Sequence, residues 1–149
     1  MPKTKYQRKT NKTNKTNRKT AKCRSNQKTH IVRVLLEMLN IVKLYHWKTH
    51  SHPEHVATDE LYARLNEHID KFVEVYLGKD GSRIQNWNDT LSVVQYNRKK
   101  EFKSKMLFYR EFLLDLYQCL NAKKDMDLLN IRDEILADLN QFFYLLTFK

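Results

Sequence analysis

Two glycines and two prolines in 149 residues leave this chain almost without the residues that turn a backbone sharply. Tight hairpins need positive φ or a preset φ at their turns, which Gly and Pro supply with the least strain. A sheet-rich fold is therefore excluded, and the chain should be helical. Apart from Pro2, the breaks available are Pro53, Gly78 and Gly81.

Apolar spacing places the helices between those breaks. From His30 onward, Ile31, Leu35, Met38, Leu39, Val42 and Tyr45 share one face at 100° per residue, while Leu36 and Trp47 form a second patch, so this helix should touch neighbours on two sides. It should end within "HWKTHSHPEH", where Ser51 can cap and Pro53 fits the first turn of the next helix. That second helix runs to about Leu77, and Gly78 is its natural stop. Residues 79–96 carry Ile84, Trp87, Leu91, Val93 and Val94, too apolar for a bare linker, and are predicted to hold a short packed helix. Two further helices are predicted over 98–121 and 126–147, the last with Leu128, Ile135, Leu139, Phe142, Phe143 and Leu146 on one side. Short first and third connections around a long second one predict an all-α fold: a ferritin-like antiparallel four-helix bundle with a crossover between helices 2 and 3, spanning 30–149. With 41% hydrophobic residues, the chain has enough apolar surface for one such core.

The formal charge of +11 is confined to one end. Residues 1–29 hold eleven bases and no acid, which leaves 17 of the 28 bases for the remainder, against all 17 acids. This arm contains "KTNKTNKTNRKT" and one aromatic residue, Tyr6, so it has almost nothing to bury and is expected to be disordered. Lys3, Lys5, Arg8, Lys9, Lys12, Lys15, Arg18, Lys19, Lys22, Arg24 and Lys28 would contact the phosphates of DNA or another polyanion, with an affinity that falls steeply with salt. A solubilising tail or a nuclear-import signal is the plainer alternative.

Cys23 lies in the arm and Cys119 in a Leu- and Tyr-rich segment, neither in a CxxC pair. They predict a free thiol and a small core residue in a reducing compartment, with no disulfide framework. The longest apolar region, 31–47, is interrupted by Arg33, Glu37, Asn40 and Lys43, and no apolar leader opens the chain. The reading is a soluble intracellular protein of cytoplasm, nucleus or virion, with no membrane partner. Gly-rich phosphate loops, GxSxG elbows and a cysteine set beside a histidine are all missing, which argues against hydrolase and kinase chemistry.

The second helix carries the residues that point to metal chemistry. "HVATD" and "DKFVE" place His55, Asp59, Asp70 and Glu74 at spacings of four, eleven and four. All fall within a sector about 100° wide beside the apolar stripe of Leu61, Leu65, Ile69 and Phe72. At 1.5 Å per residue, Asp59 and Asp70 are roughly 16 Å apart along the axis, so one chain cannot close a single metal centre with both pairs. Two copies packed antiparallel about a two-fold axis near residues 64 and 65 would bring His55 and Asp59 of one against Asp70 and Glu74 of the other, twice. His46, on the apolar face of the first helix, needs a polar partner and can join them. Imidazole and carboxylate together suit iron, manganese or zinc. Any one of these residues alone reads as an ordinary boundary polar group, and His50, His52 and His68 read as surface or loop residues.

"YHW" at 45–47 followed by His55, Asp59, Asp70 and Glu74 at these spacings resembles the ferroxidase signature of the Dps-like mini-ferritins, DNA-binding proteins of starved cells. The order of helices, the hydrophobic segment between the second and third, and the basic arm resemble that family too, so the likeness spans about 30–147. It implies a hollow, dodecameric cage in which His46, His55 and Asp59 of one subunit bind iron with Asp70 and Glu74 of its two-fold mate. It also implies oxidation of Fe(II), often by hydrogen peroxide, and mineral storage inside. The stretch from His46 to His55 is three residues shorter than is usual there, and "KTHSHPE" stands in place of a Gly-Pro-Phe loop, which leaves His50 or His52 as alternatives to His55. "KLYHWKT" and "HVATDELY" also look like uncharacterised ferritin-like proteins of large DNA viruses and phages. The expected function is an iron-oxidising mini-ferritin whose arm holds DNA; the alternative is a nucleic-acid packaging oligomer with a vestigial or structural metal site.

Overall fold

The computed structural model describes residues 27–85, 87–88 and 90–148. These residues form four α-helices, α1 (Gln27–Lys48), α2 (His52–Gly78), α3 (Lys99–Asp115) and α4 (Met126–Leu145), with a 3-10 turn at Leu116–Gln118 and no strand among them. None of these helices is long and apolar enough to cross a membrane.

Local chemistry sets the junction between α1 and α2. Ser51 has extended backbone (φ −89°, ψ 117°) and its Oγ accepts from the Glu54 N–H at 3.5 Å, while Pro53 fills the first turn, as the sequence predicts. The connection is only three residues long, 49–51, and Ser51 N–H is held by Thr49 Oγ1 at 3.2 Å. At its other end α2 stops with Gly78, but the left-handed conformation (φ 67°) falls on Gly81. Ser82 N–H then reaches back to the Leu77 carbonyl at 3.1 Å.

α2 packs on both α1 and α4, and α3 packs on α4 and α1. Leu35 and Val42 of α1, Leu65 and Phe72 of α2, Phe102 and Met106 of α3, and Leu128 and Leu139 of α4 are essentially excluded from water. Burying one such side chain stabilises the fold by about 1.5–3 kcal/mol relative to leaving it exposed. Aromatic contacts tie three helices together at one level: Tyr45 stacks on Phe102 with centroids 3.8 Å apart, and Phe102 meets Phe142 edge-on at 5.9 Å.

Four sequence expectations need correction. First, α1 begins at Gln27, so Lys28 belongs to the helix rather than to the arm. Its ammonium pairs with Asp80 at 2.5 Å and Ser82 Oγ at 2.8 Å and lies over the Tyr76 ring, because α2 ends beside the start of α1. The other arm residues named above, Lys3, Lys5, Arg8, Lys9, Lys12, Lys15, Arg18, Lys19, Lys22 and Arg24, lie outside the described residues. Second, 79–96 holds no packed helix among its described residues. Leu91, Val93 and Val94 are exposed, and the irregular segment is held by single contacts, notably Ser92 N–H to buried Glu37 at 2.9 Å. Separate anchors of this kind do not need the continuous buried face that a helix presents.

Third, α3 stops at Asp115 rather than 121, and α4 stops at Leu145 rather than 147. Asn121 Oδ1 accepts from the Lys123 and Lys124 N–H groups, and Asp125 Oδ2 accepts from the Asn121 N–H at 2.7 Å; these side-chain bonds replace helical ones. Fourth, Cys119 is half-buried and disulfide-bonded, not a core thiol. Cys23 lies outside the described residues.

Candidate functional site

His46 sits in the last turn of α1 and His55 in the first turn of α2, and the short connection folds one ring over the other. Their centroids are 3.9 Å apart with 24° between the planes. His46 Nδ1 lies 3.1 Å from the His55 carbonyl and 3.3 Å from Thr58 Oγ1; His55 Nδ1 lies 3.1 Å from the His46 carbonyl. A carbonyl can only accept, so each Nδ1 carries the proton and donates it. Both rings are thereby fixed in the tautomer that leaves a lone pair on Nε2, the state in which imidazole binds a metal. His46 is buried and His55 exposed.

Asp59, one turn beyond His55, completes this end. Its Oδ1 is 3.7 Å from His46 Nε2 and 3.8 Å from Lys43 Nζ, and its side chain is 65% exposed. Lys43 also caps the rings of Tyr62 and Trp47, at 4.4 and 5.6 Å. Its ammonium therefore competes with any cation for Asp59. In sequence Lys43 looked like a mere interruption of an apolar run, and only the placement of α2 beside it reveals the contact.

Asp70 and Glu74 are exposed, and among the described residues neither makes a side-chain hydrogen bond or ion pair. The helix rise keeps Asp70 roughly 16 Å and Glu74 roughly 22 Å from Asp59 along the axis of α2. The chain thus brings together three of the five expected ligands and leaves two apart on the same helix. Among the described residues no group of three or more His, Cys, Asp or Glu side chains could hold a metal ion within one copy. His50 stands in the connection and His52 at the start of α2, both exposed.

A model for a family of unknown function (DUF5856) matches residues 46–146. The chain belongs to that family. The DUF5856 match opens on His46 and takes in His55, Asp59, Asp70 and Glu74, while the basic arm lies before it. No curated protein and no solved structure matches the chain.

Two polar networks of this DUF5856 chain escape a reading of the sequence. Glu54 accepts from Tyr45 Oη at 2.7 Å and Thr49 Oγ1 at 3.0 Å, and Lys99 stands 3.2 Å away. Burial pushes the Glu54 carboxyl up, but these hydrogen bonds and the Lys99 charge outweigh it and hold the group below its ordinary range. Burial, with the Glu54 bond and charge, raises the Tyr45 phenol well above its usual value, so Tyr45 stays a donor. The second network joins His68 of α2 to Asp138 and Glu134 of α4. The partners lie 70 residues apart in sequence, and no local spacing signals them.

Proposed function

We propose that two copies of this chain pair through α2 to form carboxylate–histidine centres that bind and oxidise Fe(II), in the manner of the Dps-like mini-ferritins. The observation that carries the reading is the disposition of α2: His46, His55 and Asp59 gather at one end, and Asp70 and Glu74 stand on the same flank at the other, exposed and without a side-chain partner among the described residues. An antiparallel partner would join the two halves, and the two-fold axis would make the joined site twice. A ferritin-like arrangement of the four helices, and a cage built from such dimers, go with this reading.

Fe(II) is the substrate. His46, His55 and Asp59 of one copy would seat it only together with Asp70 and Glu74 of the second copy, with Lys43 moving aside, and that acidic pair would also balance the added charge of Fe(III). Two Fe(II) would give one electron each to one peroxide, whose O–O bond breaks as two protons are taken up, leaving two Fe(III) and two waters. His55 is the histidine in contact with His46, so it is preferred over His50 and His52 as the ligand. The test adds Fe(II) and limiting peroxide to the full chain and follows Fe(III) absorbance. Oxidation well above the buffer rate that vanishes in the Asp70→Ala, Glu74→Ala double variant supports the centre; equal rates in both proteins reject it.

The confinement of the net charge of +11 to residues 1–29 favours a second activity, binding of DNA through the arm. If DNA is bound and iron is not oxidised, the chain is a packaging oligomer. Deleting residues 1–26, which precede α1, should abolish salt-sensitive DNA retention and leave iron chemistry intact; retention that survives the deletion assigns DNA to another surface.

A further inference from the structure

On the opposite flank of α2 from His55 and Asp59, His68 stands over α4 between two carboxylates. Asp138 is almost wholly buried, and its Oδ2 lies 2.6 Å from His68 Nδ1. A carboxylate that close takes the Nδ1 proton as its hydrogen bond, which turns Nε2 outward as a lone pair. Glu134, one turn before Asp138 and about half exposed, has Oε2 3.8 Å from that Nε2. A buried carboxylate behind a histidine, with a second carboxylate in front, is the pattern by which proteins orient an imidazole toward a metal ion.

From this geometry we propose that His68 Nε2 and the Glu134 carboxylate form a second binding site for a borderline divalent cation of the zinc class, with Asp138 positioning the histidine and water filling the remaining coordination. Two ligands bonded to zinc at tetrahedral angles stand roughly 3.4 Å apart. Closing from 3.8 Å asks for a small rotation of the exposed Glu134 side chain. The competing groups are Lys71, 3.9 Å from Glu134 Oε2, and Arg64, 3.9 Å from Asp138 Oδ1. Lys71 is more than half exposed, so its pairing with Glu134 is weak and a divalent cation can displace it. Arg64 faces the buried carboxylate instead, at Oδ1, and leaves Oδ2 to His68. The site shares no residue with the proposed iron centre and stands or falls without it.

The test is equilibrium dialysis of Zn2+ against the full chain carrying His55→Ala and Asp59→Ala, two exposed positions whose loss removes the other centre. This background should retain one Zn2+ per chain. Adding His68→Ala should abolish that binding, adding Glu134→Gln should weaken it at least ten-fold, and Asp138→Asn should weaken it roughly ten- to a hundred-fold through loss of the oriented ring. The zinc-dependent shift of the His68 ring nitrogens in 15N spectra should appear at Nε2. A background protein that binds no Zn2+, or binding that is indifferent to both His68→Ala and Glu134→Gln, overturns the site. A His68→Ala variant that melts lower yet keeps its zinc also overturns it, because that outcome assigns His68 to holding α2 on α4. Glu134→Gln keeps the question open to test should His68→Ala fail to fold.

Discussion

His46 and His55 donate to each other's backbone carbonyls from Nδ1, at 3.1 Å in both directions. The last turn of a helix has carbonyls without helical partners, and this reciprocal pair uses the His46 carbonyl while fixing the angle between α1 and α2. The same bonds that join the helices also present both Nε2 atoms outward, so structure and metal binding rest on one arrangement.

That coupling separates the two halves of the proposed iron centre by their effect on stability. His46→Ala removes a buried ring and its hydrogen bond to the His55 carbonyl, which keeps only the Thr58 hydroxyl as a side-chain donor among the described residues, a loss of about 1–3 kcal/mol. Asp70→Ala with Glu74→Ala alters exposed groups without a side-chain partner among the described residues and should change stability by no more than about 0.5 kcal/mol. Urea titrations of the two variants check the contrast, and both should lack iron oxidation.

Mixing those variants tests the shared geometry directly. A heterodimer of His46→Ala with the Asp70→Ala, Glu74→Ala chain has one intact centre and one doubly damaged centre. Unfolding and refolding them together at equal amounts should recover about a quarter of the wild-type rate from two inactive proteins. Recovery near zero would mean that each centre is built within one chain or that no dimer forms.

Lys43 holds the position a cation would take beside Asp59. Replacing it by Met, which keeps the length of the stem, removes a competing charge worth about 1 kcal/mol at a part-exposed site. Metal affinity measured with Fe(II) or Co(II) under anaerobic conditions should rise about five-fold. Weaker binding would show that Lys43 serves the centre and does not compete with it.

Glu54 provides a pH signature. Its carboxyl is held below the ordinary value in the folded state, so its stabilisation is complete above that ordinary value of 4.5 and disappears as pH falls through the lowered one. Glu54→Gln should cost about 1.5 kcal/mol at pH 7, where charge-assisted bonds from Thr49 and Lys99 are lost. In acid the difference should shrink toward zero. Denaturant midpoints for both proteins at pH 7 and in acid settle the sign.

The disulfide at Cys119 predicts that an alkylating reagent leaves the untreated protein unmodified and labels Cys119 after reduction. Reduction should lower stability by about 2–4 kcal/mol, the usual effect of removing a cross-link. Labelling of Cys119 without reductant would restore the free thiol expected from its sequence context.

Much of the architecture was legible because it is local. Ser51 and Pro53 mark the α1–α2 junction in any sequence, and the 3.6-residue repeat of Leu61, Leu65, Ile69 and Phe72 fixes which side of α2 is buried. Over 79–96 apolar content alone does not distinguish a packed helix from an irregular segment held at separate points. The early end of α3 depends on Asn121 and Asp125 bonding to the backbone, which composition does not reveal. Lys28 reads as part of the arm in sequence because its partner, Asp80, lies 52 residues away.

The sequence by itself determined four helices, the segregation of charge into the first 29 residues, and the distance between the two ligand pairs on α2, since helix rise is a property of the backbone alone. Only the tertiary structure decided that His46 stacks on His55, that Lys43 guards Asp59, and that His68 finds Asp138 across the α2–α4 seam. Those contacts depend on how the helices pack, and packing joins residues whose separation along the chain carries no periodic signal.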